Sequence, residues 1–416
     1  MKRWIAGLVV GPWTLLAATL AGAEGRKPLA DLLVEKGVIT KDEAASVQGA
    51  TLSAWLDRIA VGGDIRLRHE SFYRNTADDQ HRQRFRLRFG ADVKIENLTV
   101  GIRLASGSGD QGSANQTLDA LSSQKPVWID RAFVRWHGES AKWLTVTGGR
   151  MPNPFYTVYS SDLVWDEEFN PEGLAQNVAV KIAEAELFVN LAQIVLDEDS
   201  SGSLSTDQWL FGQQIGVQAK PTSTTKAAVA VTYLNAVNTQ NGNLGQTVCQ
   251  DGNSRVDACG TPLGTTGRLV NDYNVFGLTA MASAKVGGLP VAVMADAVKN
   301  TADTKSAVGG SDTKDGGYQA GLILGKASDP KTWEAAYFYK KVGADATLAD
   351  IADSDFGFKG GTNRKGHIVW AAYNPSKAVQ LKAKYFISRV EDPALANNGG
   401  NNGDVKRLQV EASVKF

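Results

Sequence analysis

Residues 82–95 read RQRFRLRFGADVKI. Phe85, Leu87, Phe89, Ala91, Val93 and Ile95 alternate with Arg84, Arg86, Arg88, Gly90, Asp92 and Lys94. Successive side chains of a strand point to opposite faces, so this segment is a strand with one apolar and one charged face. The chain's last residues repeat the pattern. Leu408, Val410, Ala412, Val414 and Phe416 share one face, and Arg407, Gln409, Glu411, Ser413 and Lys415 share the other. Strands of a soluble sandwich also alternate, but they are usually shorter and turn their polar face to bulk water. Alternation this long suits a strand between lipid and a water-filled interior.

Working outward, sixteen candidate strands fall near 61–71, 83–95, 99–106, 127–136, 143–149, 176–183, 187–196, 208–220, 226–235, 273–286, 291–299, 316–326, 332–342, 365–374, 378–390 and 405–416. Connections after odd strands are long: 107–126, 150–175, 197–207, 236–272, 300–315, 343–364 and 391–404. Those after even strands are tight, as at Glu96-Asn97-Leu98, Pro221 to Thr225, Gly287-Gly288-Leu289-Pro290 and Pro375-Ser376-Lys377. This parity, with an even strand count, is expected of an outer-membrane barrel with periplasmic turns and extracellular loops. Residues 275–298 could be scored as a membrane helix, but Lys285, Asp296 and the Gly287–Pro290 turn interrupt them. A proline inside a helix costs about 3 kcal/mol, so two strands and a turn fit better. The fold class expected is all-β: an antiparallel transmembrane β-barrel of about sixteen strands over 59–416, with a short N-terminal helical segment.

The composition agrees. Lys+Arg and Asp+Glu number 44 each, and a net charge of zero argues against a chain devoted to wrapping nucleic acid. With 43% hydrophobic residues the chain can form a core. The slightly negative mean hydropathy excludes a polytopic helical membrane protein but not a barrel with a polar lumen. Residues 1–23 read as a signal peptide: Lys2 and Arg3, an apolar run from Ile5 to Leu20, then small Ala21-Gly22-Ala23. A membrane anchor is the competing reading, and the run is short for one. Within 24–58, Leu29, Leu32 and Leu33 share a helical face, Gly37 fits a C-cap, and Thr40-Lys41-Asp42-Glu43 reads as a capping box. This segment is expected to be a periplasmic pair of helices.

The charged phase of the strands supplies the candidate site. Arg66, Arg68, Arg84, Arg86, Arg88 and Arg103 share the lumen phase, and Arg131 and Arg135 join them if Ala132, Val134 and Trp136 face lipid. An arginine facing lipid near the midplane would cost about 2–4 kcal/mol, so water is the plausible neighbour for so many. The same arginines could also stiffen the wall through ion pairs, and the two roles can coexist. Cys249 and Cys259 lie in the longest loop and are expected to form a disulfide in an oxidising exterior. The acidic run from Asp197 resembles a calcium loop, but Gln208 stands where a bidentate Glu is required, so no metal is expected. No G-x-S-x-G, H-E-x-x-H or P-loop is present, and the four histidines are scattered at 69, 81, 137 and 367. A channel without cofactors is expected, rather than an enzyme.

The stretches GDIRLRHE (63–70), RQRFRLRFGADVKI (82–95), IDRAFVRW (129–136), GGRMPNPF (148–155) and DLVWDEEFNPEG (162–173) resemble the "putative porin" family of Gram-negative bacteria. The resemblance covers most of the mature chain and implies a passive channel for small hydrophilic solutes and ions. It also implies that terminal Phe416 is a signal read by the barrel-assembly machinery. Resemblance to general porins implies a homotrimer amid outer-membrane lipid and lipopolysaccharide. It further implies a third loop folded inward to form a constriction. On that basis Asp162, Asp166, Glu167, Glu168 and Glu172 of 150–175 would face the arginine wall across a narrow eyelet. The alternatives are a solute-specific, anion-preferring porin, or a surface-anchored adhesin or barrel enzyme with its activity in the loops.

Overall fold

The computed structural model describes residues 34–38, 40–42, 58–75, 77–159, 163–198, 206–240, 242, 244, 252–255, 267–304, 314–358, 360–393 and 403–416. Residues 1–58 and 59–416 form separate units. The expected signal peptide lies outside the described residues. Of 24–58 only 34–38, 40–42 and 58 are described, in fragments too short to support the expected helical segment.

The second unit is built of strands in chain order. They are β1 (Ile59–Arg74), β2 (Gln80–Ile95), β3 (Leu98–Ser106), β4 (Gln116–Thr117), β5 (Val127–His137), β6 (Leu144–Arg150), β7 (Glu172–Ile182), β8 (Ala185–Asp197) and β9 (Gln208–Thr222). There follow β10 (Thr225–Val237), β11 (Asn274–Val286), β12 (Leu289–Asn300), β13 (Gly316–Gly325), β14 (Thr332–Val342), β15 (Arg364–Asn374), β16 (Val379–Val390) and β17 (Val405–Lys415). Apart from the two-residue β4, each pairs antiparallel with the next, β3 reaching past β4 to β5. β17 returns to β1 with Asp64 opposite Lys415 and Arg74 opposite Val405. The result is a closed sixteen-stranded barrel, which satisfies every strand edge without water, as a bilayer demands. Phe416 fastens the seam: its N–H donates to the Gly63 carbonyl at 3.1 Å, and its own carbonyl accepts the Gly63 N–H at 2.9 Å.

The apolar phase points outward. Ile65, Leu67, Phe89, Ile102, Val134, Ile215, Leu278, Val293, Val369 and Val410 are all exposed on the barrel's outer face. Trp143, Trp333 and Tyr373 are exposed near the tight turns, and Trp128, Phe211 and Tyr318 near the long loops. Rings at both rims match the aromatic girdles of a membrane barrel. The Gly287-Gly288 turn joins β11 to β12 with φ of +57° and +85°, values that glycine adopts without strain. Turn parity holds with one departure. The hairpin joining β1 to β2 lies on the long-loop side yet spans only 75–79, because pairing continues up to Phe72 opposite Gln80.

The described apolar core lies among inward-folded connections. Met151, Phe155, Leu163, Val164 and Trp165 of the β6–β7 connection cluster with Leu348 and Ile351 of the β14–β15 connection and with Leu244, Leu269 and Tyr273.

Candidate functional site

The inner face of β17, β1 and β2 is a charge lattice set by register. Arg66 stands opposite Arg86 and Ser413, Arg68 opposite Arg84 and Glu411, and Glu70 opposite Arg82 and Gln409. Arg66, Arg68, Arg86 and Arg407 are buried, as is Glu70. Buried charge is tolerated only when paired and hydrogen-bonded. Glu70 takes Arg82 and Arg407. Asp64 takes Arg86 at 2.7 Å and Arg88 at 2.8 Å, and Glu411 takes Arg68 at 2.5 Å.

Further carboxylates come from two connections folded onto this lattice. The first is 151–171, between β6 and β7. Its Glu168 accepts Arg66 Nη2 at 3.1 Å, bonds Arg86, and accepts the Ala114 N–H at 2.7 Å. Burial opposes the charge, but Arg86, Arg66 and that N–H outweigh it and hold the Glu168 carboxyl well below the usual carboxylate range. Other described residues of this connection touch further strands. Phe155 stacks on Trp165 with centroids 5.4 Å apart, and Tyr159 stacks on Phe338 of β14 at 4.3 Å and Trp370 of β15 at 4.7 Å. Gly212 of β9 makes room for it: a Cβ there would lie 2.2 Å from Phe155 Cζ. The Tyr156 N–H donates to Gln214 Oε1 at 2.7 Å.

The second connection is 343–363, between β14 and β15. Asp355 accepts Arg407 at 2.7 Å and Arg68 at 3.3 Å, while Asp353 accepts Lys340 at 2.8 Å. Burial opposes the Asp355 charge too, yet Arg407 and Arg68 hold it well below its usual range. Residues 252–255, from the β10–β11 connection, pin this segment. Asn253 Nδ2 donates to the carbonyls of Ala344 and Thr347 at 2.7 and 2.8 Å, and Arg255 pairs with Asp350 at 2.6 Å. Asp345 accepts Tyr273 Oη at 2.8 Å and the Ser254 N–H at 3.0 Å, and burial pushes its carboxyl up. The two inward segments also meet directly, the Ser354 N–H donating to Asp166 Oδ2 at 2.8 Å. A cavity of about 210 Å³ remains between them and the wall, bounded by Arg66, Arg68, Tyr159, Trp370 and Lys382.

The other residues singled out from sequence are distributed as follows. Arg84 donates to the Asn115 carbonyl at 2.9 Å. Arg103 pairs with Asp130, and Arg131 Nε donates to Asn170 Oδ1 at 2.7 Å. Arg135 lies over the Phe133 ring at 5.0 Å and reaches Thr147 Oγ1 at 3.2 Å. Glu167 is 3.9 Å from Arg66 with its side chain half exposed. Glu172 belongs to β7 and pairs with Arg150 at 2.7 Å. Asp162, Cys249 and Cys259 lie outside the described residues. Where the sequence reading expects these acids to face the arginine wall across a narrow eyelet, Glu168 is in direct contact with Arg66 and Arg86. Arg407, Glu70, Asp353 and Asp355 complete the lattice and carry no local sequence pattern that marks them as site residues. The one signal is compositional: the run DSDFGF (353–358) has the same mix of carboxylates and rings as 162–173.

A family model described as "Putative porin" matches residues 70–262 and 235–416. No curated protein sequence matches the chain. Among solved structures, Pseudomonas putida OprB at high pH is similar at 11% identity and TM-score 0.53, with 89% of this chain and 97% of that chain covered. Salmonella typhi OmpF in complex with daunomycin is similar at 10% identity and TM-score 0.49, covering 86% of this chain and 97% of that one. A loop L8 deletion mutant of OmpT from Vibrio cholerae has 10% identity, TM-score 0.47 and coverage of 86% and 100%.

Proposed function

The chain belongs to the "Putative porin" family and is an outer-membrane porin, and from this premise we propose that small hydrophilic solutes and ions diffuse past a constriction built jointly by 151–171 and 343–363 against the arginine wall. Sixteen strands enclose a width that remains aqueous unless loops fill it. The observation that supports this reading is the contact of Glu168, from the acidic connection 151–171, with Arg66 of β1 and Arg86 of β2. Carboxylates from two loops interleaved with arginines set up a transverse field, which favours dipolar solutes over apolar ones. Such a site selects by size and polarity and needs no cofactor.

The finer organisation belongs to the same proposal. Residues 1–23 direct export, 24–58 form a helical periplasmic segment, Cys249 and Cys259 cross-link the longest loop, and Phe416 serves assembly. The porin works as a homotrimer in lipid and lipopolysaccharide. Conductance of the purified full-length chain in a planar bilayer tests the channel. Stepwise openings whose size changes when Arg66 or Arg86 is neutralised are expected. A folded, heat-modifiable barrel that never conducts would refute it.

A further inference from the structure

The cavity of about 210 Å³ at the lumen wall has two chemically distinct sides. One is apolar. Tyr159 and Trp370 line it beside Ile323, and Phe338 backs them to complete a three-ring stack with interplanar angles of 11–21°. The other is charged, and its carboxylates are already engaged. Glu168, Asp353, Asp355 and Glu411 hold the cations named above, Glu167 stands 3.9 Å from Arg66, Asp166 takes the Ser354 N–H, and Glu334 accepts Trp370 Nε1 at 2.8 Å. Of the two lining ammoniums, that of Lys384 lies 5.3 Å from the Tyr159 ring centroid and 4.7 Å from that of Phe386. Lys382 of β16 differs. Its ammonium lies 4.9 Å from the Trp370 ring centroid, with no carboxylate within 4 Å among the described residues. A half-buried ammonium on a ring face keeps its hydrogens for an incoming acceptor.

Resting on the channel reading, we propose that this cavity is a binding subsite for a small organic monoanion with a flat apolar body, an aromatic carboxylate. Lys382 takes the carboxylate by a charge-assisted hydrogen bond, and the stack takes the ring. The size restricts the class: drug-sized ligands fill about 300–1,000 Å³, so this cavity suits a single ring. The Arg66 and Arg68 side cannot substitute for Lys382, because both guanidiniums already hold carboxylates.

The test uses the full-length protein with benzoate, acetate and benzyl alcohol as probes. Calorimetry on the detergent-held barrel measures binding, and planar-bilayer current measures block. Benzoate is expected to bind and to block saturably, with acetate and benzyl alcohol each at least ~10-fold weaker, since each lacks one half of the recognition. K382Q lowers benzoate affinity ~10-fold or more, while K326Q, on an exposed turn, leaves it unchanged. Heat-modifiable migration certifies that each variant is folded. Benzoate binding no tighter than acetate, or unchanged in folded K382Q, overturns the subsite; the three-probe comparison on the native chain decides even if K382Q fails to fold. A barrel that binds benzoate through Lys382 but never conducts overturns the channel reading and leaves the subsite standing.

Discussion

Replacing Glu168 with Gln keeps its shape and removes its charge. Arg66 and Arg86, 5% and 6% exposed, would then lose their shared carboxylate. Arg86 keeps Asp64 at 2.7 Å, but the carboxylates left to Arg66, Glu411 and Glu167, stand at 3.8 and 3.9 Å. Removing one partner of a buried pair costs about 3–5 kcal/mol, and the retained contacts place this case at the low end, about 3 kcal/mol. The cost falls on the docking of 151–171, because Glu168 takes no part in the strand ladder. The loop keeps its Phe155–Trp165 and Tyr159–Trp370 stacks, so loosening is expected near 166–170 without loss of the barrel. The charge change acts on ions as well. At ~6 Å in a water-like dielectric one charge is worth about 0.7 kcal/mol to each ion, with opposite signs for chloride and potassium, so the ratio of anion to cation entry should change roughly tenfold. E168Q should therefore conduct with frequent sublevels, and its reversal potential in a KCl gradient should move toward chloride. The effect should shrink at molar salt. A folded E168Q channel with quiet, unaltered current and an unmoved reversal potential would show that Glu168 lies off the ion path, and would refute the reasoning.

Acid should reproduce this loosening only at low pH. Arg86 and Arg66 hold the Glu168 carboxyl below its ordinary value, so its contribution to loop docking is complete above about pH 4.3, the unfolded value, and is lost as pH falls through the lower folded value. Single-channel traces should stay quiet from pH 7 to 5 and flicker near pH 3; flicker that begins at pH 6 would count against the assignment. Gly212→Ala places a Cβ against the Phe155 ring, and overpacking of this kind costs about 1–3 kcal/mol. Limited proteolysis should cut G212A within 151–171 faster than the native chain, with heat-modifiable migration unchanged. Val293→Arg puts a charge on the outer face of β12, at a cost of about 2–4 kcal/mol near the midplane. Urea titration in lipid vesicles should show that loss, and equal stability would mean that β12 has been given the wrong phase.

The barrel was legible in the sequence because strand phase is local: a period of two needs only neighbouring residues, as RQRFRLRFGADVKI shows. The sixteen strands and the outward apolar face follow from that period and from the alternation of tight turns with long loops. The lumen's contents did not follow. Glu168 reaches Arg66 across 102 positions of sequence, and Arg407 reaches Glu70 across 337. A carboxylate in a loop looks the same whether it is solvated or buried, and DSDFGF (353–358) carries no periodicity that places it. Closure of the barrel by β1 and β17, with Asp64 opposite Lys415, brought Arg407 to Glu70 and Glu411 to Arg68. The tertiary fold thus decided which charges are paired, because pairing depends on distance in space, and only the closed wall with two loops folded into it sets that distance.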